Sequence, residues 1–417
     1  MSMQSRPAVL TLLTLVSLAT AATAADWPAW RGPKQDGTTT ETGLPDQWSN
    51  TQNVAWKVAL PGPGNSTPIV YGNNVYVTCA LEKGRVRSVL CFDRGSGKQL
   101  WRGDTPFAAE ETTHETNPYC AASPATDGRI IVASHGSAGV VAYDVGGKQL
   151  WRRDLGPMHH IWGNASSPVL IGEQVIQLCG PGPEARLVAL DAKTGKTLWE
   201  NPLDEAKGKP DQFKGGWGTP VLHGGQIVLA VPGYVAGLDP KDGKELWRCR
   251  GLGDLVYTSP VIGNGVIVAM SGYGGPALAM RVPGPGDRGD LTDSHRLWRE
   301  EKPPQRIGSG VIAGDYFYLV NEPGIAQCWE LKTGKVAWRG RLTGSTWSSS
   351  VLSGDRIYVT DQTGETFVFR ASPAKLEVLQ HNELGDETTR ASVAPSDGQL
   401  FIRTHQNLYC IGGRKGA

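Results

Sequence analysis

The stretch that decides the fold is LVALDAKTGKTLWE, residues 187–200, because it returns along the chain in four altered copies. Each copy has an apolar run that ends in an acidic or polar position, a glycine-containing turn, and a second run that ends in tryptophan. The copies are VLCFDRGSGKQLWR (89–102), VVAYDVGGKQLWR (140–152), VAGLDPKDGKELWR (235–248) and AQCWELKTGKVAWR (326–339). Two strands joined by a tight turn produce this pattern, so the sequence predicts a recurring β-hairpin.

A second signal precedes each hairpin. A small residue and a proline open an apolar stretch with its own turn, as in NSTPIVYGNNVYV (65–77) and NASSPVLIGEQVI (164–176), so each unit is predicted to hold four short strands. The tryptophans that end the units recur at intervals of 45, 50, 48, 48, 51 and 40 residues, which is the spacing of β-propeller blades. These tryptophans are Trp56, Trp101, Trp151, Trp199, Trp247, Trp298 and Trp338.

The count of units predicts how the ring closes. Two degenerate units follow Trp338, and the last of them ends after its third strand. The segment from Val54 to Leu60 has the sequence of a final strand but no strands of its own before it. We therefore expect an all-β fold, an eight-bladed propeller of four-stranded antiparallel blades, in which this N-terminal strand completes the C-terminal blade. Closure of this kind removes the sheet edges that would otherwise pair with other chains.

The repeated residues have structural explanations. Glycine suits a turn with positive φ, aspartate accepts hydrogen bonds from its own turn, and a tryptophan buries roughly 150–250 Å² between neighbouring blades. We therefore expect the seven tryptophans to be docking residues without a catalytic role. Five of the seven cysteines occupy repeat positions at which other units have small core residues, and no CxxC motif occurs. Both observations favour buried thiols over zinc or redox sites. Cys120 and Cys249 lie outside these positions, and their oxidation state stays open.

The N-terminal region differs from the repeats. Residues 1–25 have a basic start, a short apolar run and a small-residue stretch, which predicts a cleaved export signal. An uncleaved membrane anchor is the alternative, but the apolar run is shorter than the roughly 20 residues that span a bilayer. Residues 26–53 lack strand periodicity and are predicted to form an irregular arm over one face. Residues 54–412 are predicted to form the propeller and residues 413–417 a tail.

Charge and hydropathy limit the partners. The chain has 41 basic and 40 acidic residues without a long run of either sign, so we expect no nucleic-acid partner. No segment after the leader is apolar enough to predict a transmembrane helix. The first cysteine is Cys79, so no lipid-attachment cysteine lies near the predicted cleavage site, and an exported, unanchored protein is expected.

The pattern A-x-D-x-x-x-G-x-x-x-W, complete in Ala189, Asp191, Gly195 and Trp199, resembles the docking repeat of the PQQ-like, quinoprotein-type eight-bladed propellers. The resemblance extends over about residues 54–412. That superfamily contains PQQ-dependent dehydrogenases and also BamB-like proteins, which are non-catalytic scaffolds in outer-membrane β-barrel assembly. The resemblance therefore implies an architecture and leaves the activity open.

The chain departs from both branches of this superfamily. The enzymes typically carry adjacent cysteines over the quinone and long loops that supply Ca²⁺ ligands and an aspartate base, whereas this chain has no Cys-Cys pair and no C-x-x-C-H haem motif. BamB resembles a lipoprotein with a cysteine at its mature N-terminus, which is absent here. No cofactor is therefore expected, and PQQ with Ca²⁺ belongs only to the enzyme alternative.

Two loops before consecutive blades carry the candidate site: EETTHETNPYCAASP (110–124) and PMHHIWGNASSP (157–168). Loops in this position meet at the mouth of a propeller's channel, so we predict a cup of aromatic, imidazole and guanidinium groups for a polar ligand. Its residues are His114, Glu115, Asn117, Tyr119, His159, His160, Trp162, Asn164, Trp217, Tyr257, Arg306, Trp347 and Arg390. The alternatives are that the aromatic side chains plug the channel, or that the loops dock a protein. Among them, His114, Glu115, His159 and His160 are of metal-binding types, but their spacing matches no standard site and no metal is expected.

Two functional hypotheses follow. The leading one is a non-enzymatic exported scaffold that presents a loop-rich face to a protein partner in the cell envelope. The alternative is a quinoprotein-like oxidoreductase, or a binder of a small polar ligand in the cup. An open mouth with converging polar groups would favour the alternative, and a plugged channel with an exposed apolar patch would favour the scaffold. The sequence leaves the oligomeric state open.

Overall fold

The computed structural model describes residues 25–182, 184–203, 214–302, 307–385 and 387–413. Within these ranges the chain forms eight antiparallel sheets arranged as an eight-bladed β-propeller, as the repeat predicts. Each blade has four strands because each repeat unit supplies four β-rich runs separated by glycine-containing or polar turns. The predicted export signal falls almost wholly on residues 1–24, which lie outside the described ranges.

The first four blades take the chain from residue 69 to residue 250. Blade 1 comprises Ile69–Tyr71, Asn74–Leu81, Val86–Asp93 and Gln99–Pro106, and blade 2 comprises Ala125–Thr126, Ile130–Ser134, Val140–Asp144 and Gln149–Arg153. Blade 3 comprises Val169–Ile171, Gln174–Cys179, Arg186–Asp191 and Thr197–Pro202, and blade 4 comprises Val221–His223, Gln226–Val231, Tyr234–Leu238 and Glu245–Arg250.

The remaining blades return the chain to its start. Blade 5 comprises Val261–Gly263, Val266–Met270, Ala277–Arg281 and Arg296–Glu300, and blade 6 comprises Val311–Ala313, Tyr316–Val320, Ile325–Glu330 and Val336–Arg341. Blade 7 comprises Val351–Ser353, Arg356–Thr360, Thr366–Arg370 and Val378–Asn382, and blade 8 comprises Ala394–Ser396, Gln399–Arg403, Asn407–Ile411 and the N-terminal strand Val54–Ala59.

Short elements decorate this ring. The strand Gly289–Asp290 extends blade 4, Thr38–Thr39 extends blade 7, and Gly215–Gly216 pairs with Leu255–Val256. The helices are the single turns Thr292–His295, Glu82–Gly84 and Gly136–Ala138. In the part of the chain that the structure describes, no helix has the length and apolarity needed to cross a membrane.

The predicted closure of the ring is confirmed. Val54–Ala59 pairs antiparallel with Asn407–Ile411, and Trp56 stands opposite Cys410. Leu60, which the sequence placed in this strand, lies just beyond it and donates its backbone N–H to Gln406. The first and last segments of the propeller are thus joined in one sheet, in which the N-terminal strand is the outer strand of blade 8.

The repeated tryptophans connect each blade to the next. In six of the seven, the indole N–H donates to a backbone carbonyl in the turn of the following blade at 2.8–3.1 Å. Five of these turns contain a glycine with φ between 68° and 89°, and a Cβ at that glycine would lie 2.5–2.8 Å from the preceding blade's indole. Glycine therefore recurs there for two reasons, the positive φ and the close approach of the tryptophan.

Trp247 is the exception, because blade 5 offers no tight turn to receive it. The connection between the last two strands of blade 5 is long and carries the strand Gly289–Asp290, which pairs with the outer strand of blade 4. The Trp247 indole N–H donates instead to Gln226 within its own blade, at 2.7 Å. The side chain is still fully buried, so this blade keeps the packing and changes only the hydrogen-bond partner.

A closed ring of hydrogen bonds joins the innermost strands. Two residues before each innermost strand, a serine or threonine donates its backbone N–H to the hydroxyl of the equivalent residue in the next blade, at 2.7–3.1 Å. These eight residues, called here the hydroxyl ring, are Thr67, Ser123, Ser167, Thr219, Ser259, Ser309, Ser349 and Ser392. The ring surrounds the channel, and each hydroxyl that accepts one N–H keeps its own proton for another partner.

The arm formed by residues 26–53 crosses the channel on the far side of the hydroxyl ring. Trp27 pairs with the innermost strand of blade 1, Gln35 accepts from blade 4, and Thr38–Thr39 pairs with blade 7. Arg31 is buried and donates to two backbone carbonyls at the start of blade 6. Because the arm spans opposite blades, it closes one end of the channel and leaves Trp30 facing the other.

Candidate functional site

A cavity of about 290 Å³ opens at the channel mouth, where the loops preceding the blades meet. This cavity, called here the cup, has the hydroxyl ring around its lower part and Trp30 of the arm at its base. Seven of the predicted site residues line it: His114, Asn117, Trp162, Trp217, Tyr257, Trp347 and Arg390. The aromatic side chains thus stand around the channel and leave a cavity between them.

Side-chain hydrogen bonds and a buried ion pair hold the two predicted loops together. Glu111 is buried, forms an ion pair with Arg87, and accepts hydrogen bonds from Ser137 and Asn164. Asn117 bridges the loops because its Nδ2 donates to the carbonyls of Trp162 and Asn164 at 3.0 and 2.9 Å. This bracket fixes the rim of the cup between blades 1 and 3.

Aromatic rings form one wall. Trp162 stacks on Tyr273 with ring centroids 5.4 Å apart, and Trp217 meets Tyr257 edge-on at 4.9 Å. His160 lies behind them, with its ring centroid 4.8 Å from that of Trp217. Its Nδ1 accepts a hydrogen bond from the backbone N–H of Trp162. Large rigid rings of this kind offer apolar area at little entropic cost, so this wall is suited to stacking against a flat face of a ligand.

Arg390 supplies the positive charge of the opposite wall. Its guanidinium lies over the Trp347 ring at 5.0 Å. Burial lowers the pKa of Arg390, and the nearby Glu115 carboxylate opposes this effect. A guanidinium keeps its proton in proteins even so, and Arg390 therefore presents a half-buried cation to the cup.

The neighbouring hydrogen bonds show what Arg390 lacks. Asn65 donates its Nδ2 to the Thr116 carbonyl at 2.9 Å, so its Oδ1 must accept from His405 Nε2, which lies 2.9 Å away. That nitrogen then carries the hydrogen and cannot accept from Arg390 Nη1, 3.5 Å away. Burial and the charges of Arg403 and Arg390 lower the pKa of His405 to about 4, so the ring is neutral at pH 7. Arg390 Nε has no hydrogen-bond partner among the residues the structure describes.

Two further polar side chains line the cup. The Thr116 hydroxyl and backbone N–H both approach His114 Nδ1, at 2.8 and 3.3 Å, so this nitrogen accepts and Nε2 carries the hydrogen. Asn117 Oδ1 is buried without a hydrogen-bond donor in the described ranges. The rim therefore offers a donor at His114, whereas Asn117 Oδ1 has no exposed surface and lies within the contact between the two loops.

The other predicted site residues lie elsewhere. Glu115 and His159 are exposed and do not line the cup. Tyr119 packs on Arg87, while His160 and Asn164 support the loops from behind. Arg306 lies outside the described residues.

Several cup residues were not predicted from the sequence. They include Trp30 from the arm, Tyr273 from a loop of blade 5, the polar residues Asn65 and Thr116, and six members of the hydroxyl ring. The signal for the ring was present, because a serine or threonine precedes the start of every blade, but it was interpreted only as the beginning of a unit. Trp30 and Tyr273 lie outside the segments just before the blades, from which the site was predicted.

In the part of the chain that the structure describes, neither the cysteines nor the histidines and carboxylates near the cup form a group with metal-ligand geometry. All seven cysteines are buried with free thiols, Cys120 and Cys249 included, and burial raises the pKa of the Cys120 thiol to about 12. Among the described residues, the group with metal-ligand geometry is Glu365, His381 and Glu383, on the outside of blade 7. A hydrogen bond accounts for it, since His381 Nε2 lies 2.9 Å from the Glu365 carboxylate.

Comparisons with known proteins agree with this architecture. The family model described as outer membrane protein assembly factor BamB matches residues 82–340. BamB of Burkholderia pseudomallei is 22% identical over 371 residues, covering 75% of this chain and 86% of that protein. Tetrathionate hydrolase of Acidithiobacillus ferrooxidans is 24% identical over 233 residues, covering 52% of this chain, which spans only 44% of that enzyme's length.

A solved structure shows the same fold. Quinohemoprotein alcohol dehydrogenase from Comamonas testosteroni aligns with a TM-score of 0.68 at 14% identity, covering 96% of this chain and 82% of that one. A likeness at this identity shows the fold alone. The family model, in contrast, covers more than half of the 417 residues. The chain therefore belongs to the family described as outer membrane protein assembly factor BamB, within the PQQ-like eight-bladed propellers.

Proposed function

We propose that this chain is an exported propeller that binds a small polar ligand in the cup. The observation that carries the proposal is the cup itself, which combines the half-buried guanidinium of Arg390, six hydroxyl groups of the hydroxyl ring and a wall of aromatic rings. A concave apolar pocket with a few converging polar groups is the usual form of a small-molecule site. Its volume of about 290 Å³ suits a ligand the size of a monosaccharide or a small acid.

The donor set does not suit a calcium–quinone pair. Ca²⁺ takes six to eight oxygen ligands, carboxylates prominent among them. No aspartate or glutamate is among the described residues that line the cup, and the chain has no adjacent cysteines to cover a quinone. We therefore propose binding, and derive no redox step.

Saturable quenching of tryptophan fluorescence is the expected result when the mature protein is titrated with D-glucuronate, D-glucose, benzoate and PQQ in separate experiments. Tyr273 is 53% exposed and stacks on Trp162, so Tyr273→Ala should leave folding intact. It should weaken binding of the active probe about 3- to 10-fold, because an aromatic contact contributes about 0.5–1.5 kcal/mol. Tyr71→Ala is the matched control, since Tyr71 is also exposed but lies at the far end of a blade 1 strand.

Binding that is equally strong in the wild type and in Tyr273→Ala would place the ligand outside the cup. Absence of binding by every probe at millimolar concentration would contradict the proposal.

We also propose a second function, docking of an envelope protein on the outer strands of blades 1–3. The observation that favours it is a row of exposed leucines, one per blade: Leu100, Leu150 and Leu198, which are 50%, 43% and 49% exposed. The equivalent Leu246 of blade 4 is partly buried, and its strand is covered by Gly289–Asp290. The matching family, described as outer membrane protein assembly factor BamB, supports this scaffold function.

Replacement of all three leucines by glutamate is expected to abolish co-purification of a specific envelope protein and to leave cup binding unchanged. Chemical cross-linking followed by mass spectrometry measures the partner, and Tyr273→Ala serves as the reverse control. Retention of the same partner by the triple variant would exclude this surface as the docking site.

A further inference from the structure

The charge balance of the cup indicates an anionic ligand. Among the described residues that line the cavity, Arg390 is the only arginine or lysine, and none is an aspartate or glutamate. The nearest acid that acts on Arg390 is Glu115, which is exposed and forms no ion pair with it among the described residues. The tautomer of His405, set by Asn65, leaves the guanidinium without an acceptor on that side. A planar guanidinium in this state is suited to a carboxylate, which can accept two of its hydrogens.

The rest of the polar lining is neutral and rich in hydroxyl groups. Six members of the hydroxyl ring reach the cup: Thr67, Ser167, Thr219, Ser259, Ser349 and Ser392. Each accepts a backbone N–H, and none donates its hydroxyl proton to another described group. Together with His114 Nε2, they offer several hydrogen-bond donors around a single small space.

These features discriminate between classes of carboxylate ligand. An amino acid would bring an ammonium group for which the described lining has no anionic partner. A flat aromatic acid would stack on the wall but would leave the hydroxyl ring without partners, which is unfavourable for buried polar groups. A sugar ring has hydroxyl groups that can meet the neutral lining and C–H faces that can stack on Trp162 or Trp217.

On the assumption that the cup is the binding site proposed above, we infer that its ligand is an acidic monosaccharide, or the acidic end of a short saccharide, whose carboxylate is bound by Arg390. The pyranose ring then lies between the Trp162 and Trp347 walls, and its hydroxyl groups face the hydroxyl ring.

Calorimetric titration with D-glucuronate, D-glucose and benzoate tests this inference. Glucuronate is expected to bind at least about 10-fold more tightly than glucose, because hydrogen bonds to a charged group are stronger than those between neutral groups. Arg390→Gln should weaken glucuronate binding about 10- to 100-fold and glucose binding by a much smaller factor, because glucose lacks the carboxylate. Arg390→Lys should recover only part of the loss, since lysine lacks the planar fork. The control is Arg129→Gln, since Arg129 is exposed in a blade 2 turn at the opposite end of the channel.

Each outcome separates this inference from the proposed function. Equal affinity for glucose and glucuronate would overturn the role of the carboxylate, and so would an Arg390→Gln variant that binds glucuronate as tightly as the wild type. If binding still depended on Tyr273, the cup would remain supported as the binding site. If benzoate or PQQ bound more tightly than glucuronate and this binding depended on Tyr273, the inference of a sugar ligand would be overturned. The cup would still be supported as the binding site. Failure of every probe would overturn both.

Discussion

Replacement of Glu111 by glutamine is expected to lower the free energy of unfolding by about 3–5 kcal/mol, because it leaves a buried arginine without its counter-charge. The Arg87 and Glu111 side chains are each 1% exposed, and they pair across the base of the first predicted loop. Arg87 is held between the rings of Phe107 and Tyr119, so it cannot move out to water without breaking this packing.

The same carboxylate also orders the cup. Glu111 Oε1 accepts from the Ser137 hydroxyl at 2.6 Å and from Asn164 Nδ2 at 3.2 Å, which ties the first loop to the second. A glutamine can keep one of these contacts but offers one acceptor atom instead of two. We therefore expect the variant to lose affinity in the cup as well as stability.

Urea unfolding followed by tryptophan fluorescence measures this effect. Glu110→Gln is the matched control, because Glu110 is the neighbouring residue in the same loop and is exposed. It should change the free energy of unfolding by less than about 0.5 kcal/mol. A loss below about 1 kcal/mol in Glu111→Gln would show that the ion pair is not the element that holds these loops.

Acidification from pH 7 to pH 4.5 is expected to cost roughly 2–3 kcal/mol of stability through His135 alone. His135 is fully buried, and neither ring nitrogen has a hydrogen-bond partner within the described ranges. Burial, aided by the charges of Arg87 and Arg152, lowers the pKa of His135 from 6.5 to about 3.

The direction of the effect follows from proton binding. Between pH 6.5 and pH 3 the unfolded chain binds a proton at this histidine and the folded protein does not, so acid favours the unfolded state. The stability is complete above about pH 6.5 and falls as the pH decreases toward 3. His405, whose pKa is lowered to about 4, acts in the same direction, with a smaller effect because it is only half-buried.

The variant His135→Leu should flatten this pH dependence, since leucine has a similar volume and no titrating group. Unfolding curves at pH 7, 6, 5 and 4.5 provide the measurement. Met158→Leu is the control, because Met158 is buried and its replacement removes no titrating group, so the slope of the pH profile should stay unchanged. Superimposable profiles of wild type and His135→Leu would assign the acid sensitivity to other groups.

The candidate site was only partly predictable. The sequence placed the mouth loops correctly, since each loop precedes an inner strand and all inner strands start at the same end of the channel. It did not show which side chains of those loops face inward. His159 and His160 are adjacent, yet one is exposed and the other is buried behind Trp217. Such differences depend on packing between blades rather than on the order of residues in a loop.

The sequence by itself determined the blade count, the strand order and the closure, because these follow from local turns and from contacts between neighbouring repeats. A turn glycine and the docking tryptophan of the preceding blade recur together in the sequence, so the repeat records their contact. The tertiary structure alone decided the cup. Ser392 meets Thr67 across 325 residues, and Asn65 sets the tautomer of His405 across 340. Closing the ring brings these groups together, and no local pattern in the chain encodes which donors then remain without partners.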